Sequence, residues 1–182
     1  MQEKFEKLFY EFEPEHTKWG DWILTPQAYF RGDRNMPGAG LNLGYQVILK
    51  PHRLETEPHF HREDEYLVFL GAKFPDVFAS WDAEVLFYMG PSLDKMEKIV
   101  ITAPTMIRVP PLFWHGPLEI TRLGKPLFFQ PVLMNSRYYA IYRRTDAEGH
   151  PYKEALVHGV SPCRLDPDKL CSFCGKCRKG ED

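Results

Sequence analysis

The 182-residue chain is predicted to be an all-β protein, an antiparallel sandwich or closed barrel, on three features of its sequence. From Leu41 onward, apolar runs of strand length follow one another closely, each stopped by glycine or proline. Aromatic residues make up 14% of the chain and are accompanied by 16 prolines and 13 glycines, a mixture that favours short strands and turns over long helices. His59, His61 and Glu65 share one strand parity, so on an extended segment they would face one interior. With 43% hydrophobic residues, the length suits one ordinary domain with one sizeable core.

At the N-terminus, Phe5, Leu8, Phe9 and Phe12 recur at i, i+3, i+4 and i+7. The spacing predicts a short helix, ended by Pro14 and packed on the outside of the domain. Residues 21–31 read as a broken or edge strand because Pro26 interrupts the pattern. Residues 33–40 are a turn-rich loop, and 1–40 together form an N-terminal extension. Strands are expected at 41–50, 65–71, 83–90, 97–102 and 105–111. A hairpin over 118–134 turns near Gly124, and 137–144 is one more strand. These elements make a barrel domain, 41–144. From Thr145 the composition becomes polar and proline-punctuated, so 145–182 is expected to be a tail with a small Cys-anchored knot. There is no internal repeat and no low-complexity segment.

Charge narrows the function classes. With 23 basic and 25 acidic side chains the formal net charge is -2, which gives no electrostatic footprint for nucleic acid. No window approaches the roughly 18 apolar residues that span a bilayer. The opening residues MQEKFEKLFYEFEPEH lack the apolar core of a signal peptide, so a cytoplasmic protein is expected. In that compartment, Arg31-Gly32-Asp33 reads as a chance match to an adhesion tripeptide.

The strongest chemical signal is PHFHREDEYLVFLG, residues 58–71. A His-x-His pair alone is more often a surface feature of a strand. Here Glu65 falls in phase with both rings, and two imidazoles with a carboxylate form a borderline ligand set for Fe, Mn, Ni, Cu or Zn. One strand cannot surround a metal, so another segment must contribute. IRVPPLFWHGPLE, residues 107–119, offers His115 among apolar residues after a double proline. His16, His52, His150 and His158 have no such partners and are read as surface or loop histidines.

On these residues the chain resembles the cupin superfamily. Cupins carry a first motif containing His-x-His-x3-Glu then Gly, and a second of the form Pro-x-Gly-x2-His-x3-Asn. His59, His61 and Glu65 match the metal-binding part of the first motif, with Gly71 as its closing glycine one residue early. Pro110 and His115 match the second motif. Leu112 stands in place of its glycine, Glu119 in place of its asparagine, and Pro104 where its opening glycine would fall. The resemblance covers roughly residues 40 to 135. It implies a cupin double-stranded β-helix, a jelly-roll barrel, with one divalent metal held inside by His59, His61, Glu65 and His115.

Three neutral imidazoles and one carboxylate would leave a divalent ion with a net charge of about +1. Such a centre suits an anionic or chelating small molecule. The expected function is therefore a metal-dependent enzyme of dioxygenase, lyase or isomerase type, with Fe, Mn, Ni or Zn as Lewis acid or redox centre. The habits of the resembled superfamily favour an oxidoreductase. The alternative is a non-catalytic small-molecule-binding or sensor cupin, and the full ligand set argues against a vestigial site. Tyr45, Phe69, Phe87, Trp114 and Phe129 are candidate aromatic walls, and Gln46, Lys50, Arg108, Gln130 and Trp114 are candidate substrate contacts. A homodimer paired through edge strands is expected.

All four cysteines lie in the last twenty residues, where a cytoplasmic chain points to metal ligation before disulfides. Cys163, Cys171, Cys174 and Cys177 would form a second, tail site for Zn or Fe. The tail is similar to the four-cysteine, rubredoxin-like iron site of some bacterial 3-hydroxyanthranilate dioxygenases, themselves cupins. Those use two Cys-x2-Cys pairs, whereas this chain has a run of three plus one.

Overall fold

The computed structural model describes residues 3–157 and 163–165. Among them, thirteen strands account for nearly all the regular structure. After a 3-10 helix at Glu3–Leu8 come β1 (Ala28–Arg31), a single helical turn α1 (Gly32–Asn35), β2 (Asn42–Ile48), β3 (His52–Glu55) and β4 (His59–Phe60). They are followed by β5 (Glu65–Gly71), β6 (Ala83–Gly90), β7 (Glu97–Ile101), β8 (Thr105–Val109), β9 (Trp114–Leu123) and β10 (Leu127–Leu133). The chain continues through β11 (Tyr139–Thr145), β12 (Pro151–Val157) and β13 (Cys163–Leu165).

The strands form two antiparallel sheets, a jelly roll. One has the order β1-β2-β10-β5-β8, and the other runs β13-β12-β11-β4-β9-β6-β7, with β3 also paired to β9. Strand alternation decides which residues fill the space between them. On β5, Glu65, Leu67, Phe69 and Gly71 point inward while Tyr66, Val68 and Leu70 are half-buried outside. Ile48, Leu67, Phe69 and Phe129 from the first sheet meet Val85, Phe87, Leu118 and Ile120 from the second in one core. β5 ends where it does because a Cβ at Gly71 would lie 2.1 Å from Ser80 Oγ and 2.6 Å from the Val77 carbonyl oxygen.

Most barrel strands form within two residues of their expected bounds, but β9 begins four residues early and β3 was not expected, and the hairpin turns between Leu123 and Leu127. The edge strand is β1, which borders its sheet and pairs only with β2. At the N-terminus the helix is shorter than the apolar stripe suggests. It stops at Leu8, and Phe5, Leu8, Phe9 and Phe12 are all exposed. Tyr10 and Phe12 instead lie against Phe30 and Tyr45, at ring-centroid distances of 5.6 Å in each case. A 3-10 helix has three residues per turn, so the four side chains do not share one face.

The largest difference lies after Thr145. Residues 151–157 are polar enough to read as a tail, yet they form β12, paired with β11 along its whole length from Tyr139↔Val157 to Thr145↔Pro151. Ala155 is fully buried there beside Tyr139 and Ile141 in a second core cluster. β12 lies between β11 and β13, and a strand with one face in water carries few apolar residues, which hides it from a reading of composition. Of the tail cysteines, Cys163 begins β13, while Cys171, Cys174 and Cys177 lie outside the described residues, as does His158. Among the described residues, no helix is long and apolar enough to cross a membrane.

An Ala155→Asp change would place an unpaired charge in the second core. It is expected to lower the unfolding free energy by about 3 kcal/mol in a denaturant titration, whereas a change in a detached tail would leave it within about 0.5 kcal/mol.

Candidate metal centre

Three strands and one turn assemble the centre. His59 on β4 sits directly across from His115 on β9. After β4 the chain leaves that sheet, turns through residues 61–64 and enters the other sheet at Glu65, which begins β5 opposite Leu133 and Val109. The parity that joins His59, His61 and Glu65 in the sequence is therefore realised by a crossing between sheets rather than by one continuous strand. All four side chains are at most 3% exposed. The ring centroids lie 4.2 Å (His59–His115), 5.1 Å (His59–His61) and 5.0 Å (His61–His115) apart. Each ring offers a nitrogen within 4.8 Å of those of the other two. Glu65 Oε2 is 3.2 Å from His115 Nε2 and 3.5 Å from His61 Nε2.

The surrounding hydrogen bonds aim the rings. His59 Nδ1 lies 3.2 Å from the Glu57 carbonyl oxygen and His115 Nδ1 3.1 Å from that of Phe113. A carbonyl can only accept, so each Nδ1 carries a proton, and each Nε2 is the atom left to face a metal. Metal-binding histidines are commonly oriented in this way. His115 Nε2 and both nitrogens of His61 are buried and lack any protein hydrogen bond of good geometry. Buried polar atoms without partners are costly, and a cation at the point they share with Glu65 would satisfy them. The donor set thus fits a divalent metal.

Electrostatics agrees. Burial, reinforced by the neighbouring His115 and His61, holds the His59 imidazole well below its ordinary value, in the neutral form a metal requires. Burial works to raise the Glu65 carboxyl, but the facing His61 and His115 outweigh it and hold the carboxyl below the usual range, ionised.

The 61–64 turn is clamped from three directions. The Arg62 amide donates to the hydroxyl of fully buried Tyr139 at 2.7 Å, and that hydroxyl donates to the Glu63 carboxylate. Asn135 Nδ2 donates to Glu63 Oε1 at 2.8 Å. The Leu112 amide donates to the His61 carbonyl at 2.7 Å, tying the second motif to the first. Leu112, which replaces the motif's glycine, has a φ of 66°, the left-handed conformation that glycine adopts without penalty.

The centre opens on a cavity of about 360 Å³ between the sheets. Of the candidate contacts, Gln46 lines it with Phe87 and Phe129, and the others lie elsewhere. Lys50 is exposed and paired with Asp21, and Arg108 is exposed and paired with Asp64 at 2.7 Å. Gln130 alternates with inward-facing Phe129, on the outer face of its sheet. Trp114 packs on Phe60 in the second core, Phe69 is sealed in the first core against Phe129, and Tyr45 is 40% exposed on the outer face. Parity along a strand is known from sequence, but which parity faces inward is not.

Sequence reasoning missed Trp22, Tyr29, Arg31, Glu55 and Tyr138, all of which line the cavity. Most belong to the N-terminal extension, which closes the barrel's mouth. Its Arg31 forms a bidentate pair with Glu15 at 2.7 and 2.9 Å, and Trp22 stacks on His52 at 3.9 Å between ring centroids. His52 is therefore a packing partner rather than a free surface histidine. The Glu55 carboxyl is pushed up to about 7 by burial and by the charge of Glu65.

No family model and no curated protein matches the chain. Solved structures similar to it include an oxalate oxidase, at 15% identity over 71% of this chain and 60% of that one, with a TM-score of 0.47. Others are a variant of Bacillus subtilis oxalate decarboxylase (12% identity, 69% of this chain, 28% of that one, TM-score 0.46) and the hydroxypropylphosphonic acid epoxidase of S. wedmorenis (10%, 68%, 55%, TM-score 0.41). The chain thus spans less than two thirds of the length of each.

Two outcomes follow from this geometry. Leu112→Gly is expected to raise stability by about 0.5–1 kcal/mol in denaturant unfolding, because relief of the left-handed strain exceeds the added chain entropy. For chelator-treated protein, the depressed His59 value means that the unfolded state takes up a proton below about pH 6.5 while the folded state does not. Glu55, raised to about 7, opposes this by taking up a proton in the folded state, so the measurement is made on Glu55→Gln: its unfolding free energy should fall as pH drops from 7 to 5, and a flat or rising profile would contradict a neutral buried His59.

Proposed function

We propose that this chain is a metal-dependent enzyme of the cupin type. His59, His61, Glu65 and His115 would hold one Fe, Mn, Ni or Zn ion, and the chain would act on a small molecule able to chelate it. The carrying observation is the set of buried, unpartnered imidazole nitrogens turned toward an ionised carboxylate at one end of a cavity. When bound, such an ion supplies Lewis-acid or redox chemistry, which suits an oxidoreductase, lyase or isomerase.

The chain's own residues supply the remainder. Phe87, whose ring centroid lies 6.2 Å from that of His115, would exclude water from the reacting end. The Tyr138 phenol, raised well above its usual value by burial and then by the charge of Glu55, stays protonated and can donate a hydrogen bond to a bound oxygen. The Glu55 carboxyl, within 4.0 Å of His59 Nδ1, can hold or release a proton near neutral pH. A titrating carboxyl and a phenol beside the metal position favour turnover over passive binding.

Elemental analysis of protein purified anaerobically tests the reading, together with turnover of chelating hydroxy and keto acids. One transition metal per chain is expected at the barrel site, retained when the four cysteines are changed to serine. His61→Ala should cut that metal at least tenfold and abolish turnover while the circular dichroism spectrum stays unchanged. Metal-free protein with full activity would overturn the metal-dependent reading. Metal retained in His61→Ala would overturn the site.

A further inference from the structure

Two buried amides in the cavity have no assigned task. Asn42 and Gln46 lie on the inward face of β2, four residues apart, each 8% exposed and each lining the cavity. That spacing is about 13 Å along a strand. Asn42 shares a row with Glu65, since both pair with Leu133, whereas Gln46 sits opposite Phe129 at the far end. The Asn42 side chain makes no hydrogen bond to the described residues, and Gln46 makes one, through Nε2 to the Tyr29 hydroxyl at 3.0 Å.

That single bond determines which atoms Gln46 shows to the cavity. The argument begins at a backbone carbonyl. Gln27 Nε2 lies 3.0 Å from the Leu24 carbonyl oxygen and 3.0 Å from Thr17 Oγ1. A carbonyl cannot donate, so the Gln27 nitrogen must face it, and Gln27 Oε1 faces the Tyr29 hydroxyl at 2.7 Å. Tyr29 must then donate to Gln27. Burial pushes its phenol up to about 12, so the proton is present at neutral pH. With that proton committed, the Tyr29 oxygen can only accept, and Gln46 must present N–H to it. Gln46 Oε1 and its second N–H remain for the cavity. Gly44 makes room for the arrangement: a Cβ there would lie 2.8 Å from the Tyr29 ring.

The charged residues of the lining are largely committed. Arg31 is held by Glu15 and Arg137 by Asp33, at 2.7 and 2.8 Å, and Arg34 is exposed. Glu55 and Tyr138 already have tasks beside the metal position, and the further buried groups left for recognition are the neutral amides Asn42 and Gln46, each presenting an acceptor beside a donor. A hydroxyl, itself both donor and acceptor, is the group that complements them.

We propose that Gln46 is a specificity-determining residue, held in one amide orientation by the Leu24–Gln27–Tyr29 chain, and that with Asn42 it selects a hydroxylated small molecule over a bare carboxylate. This deepens the proposed function, since the same cavity holds the metal position.

The test uses matched probes on the full-length, Mn(II)-loaded protein: glycerate against propionate, gluconate against hexanoate, and 4-hydroxybenzoate against 4-methoxybenzoate. At least one hydroxylated probe should bind about tenfold tighter than its partner, as expected when a buried polar group is left unpaired by the analogue. In Gln46→Met the gap should close to within about twofold, and Tyr29→Phe, which frees the amide to turn, should narrow it partway. If Gln46→Met fails to fold by circular dichroism, Tyr29→Phe alone decides. No hydroxyl preference in the wild type would overturn the proposal, as would a gap undiminished in the folded variants. Manganese content is measured on every sample. Loss of metal from the wild type counts against the metal site, whereas loss of discrimination at full metal content isolates Gln46.

Discussion

The centre depends on one crossing. Between His61 and Glu65 the chain passes from one sheet of the jelly roll to the other, and the turn is held by a hydrogen-bonded clamp from Arg62 through Tyr139 to Glu63. If that turn relaxed, Glu65 and the imidazoles would belong to separate sheets with nothing to fix their spacing. The Tyr139 hydroxyl at the middle of the clamp belongs to a fully buried residue, so losing one of its bonds is costly. Tyr139 serves packing and site at once. Its ring fills the second core, and its hydroxyl holds the turn.

The same economy appears at Leu112. Its backbone amide secures the His61 carbonyl, and doing so requires a left-handed residue where a leucine stands. The strain is small beside the stability of a domain and is confined to the contact between the two ligand-bearing segments. The N-terminal extension plays a comparable part at the cavity's other end. Trp22 stacks on His52, Arg31 is locked to Glu15, and Tyr29 orders Gln46. An extension that looks peripheral in the sequence thus supplies part of the cavity's lining.

Much of the fold was legible in advance because strand alternation and breaker residues are local signals. β5 shows a strict period of two and β6 shows one as far as Phe87, and Gly71 and Gly90 end them. β12 was not legible, since it buries little beyond Ala155 and its composition resembles that of a loop. β4, with two residues, is too short for any periodicity to register. Within the centre, His59, His61, Glu65 and His115 were readable because ligand chemistry restricts residue type and spacing at once. The cavity walls were not, because leucine, phenylalanine and tryptophan serve a core and a binding site equally well.

The sequence by itself determined the β class, the strand boundaries of the barrel and the four side chains of the centre. Each of these follows from local period, breaker position or ligand spacing. Tertiary structure alone decided that Glu65 reaches the site from the opposite sheet, that Gln46 faces inward while Lys50, Arg108 and Gln130 do not, and that Trp22, Tyr29, Arg31 and Glu55 join the cavity. The physical reason is that an alternating strand has two equivalent faces until a second sheet buries one of them, and residues distant in sequence meet only when that burial occurs.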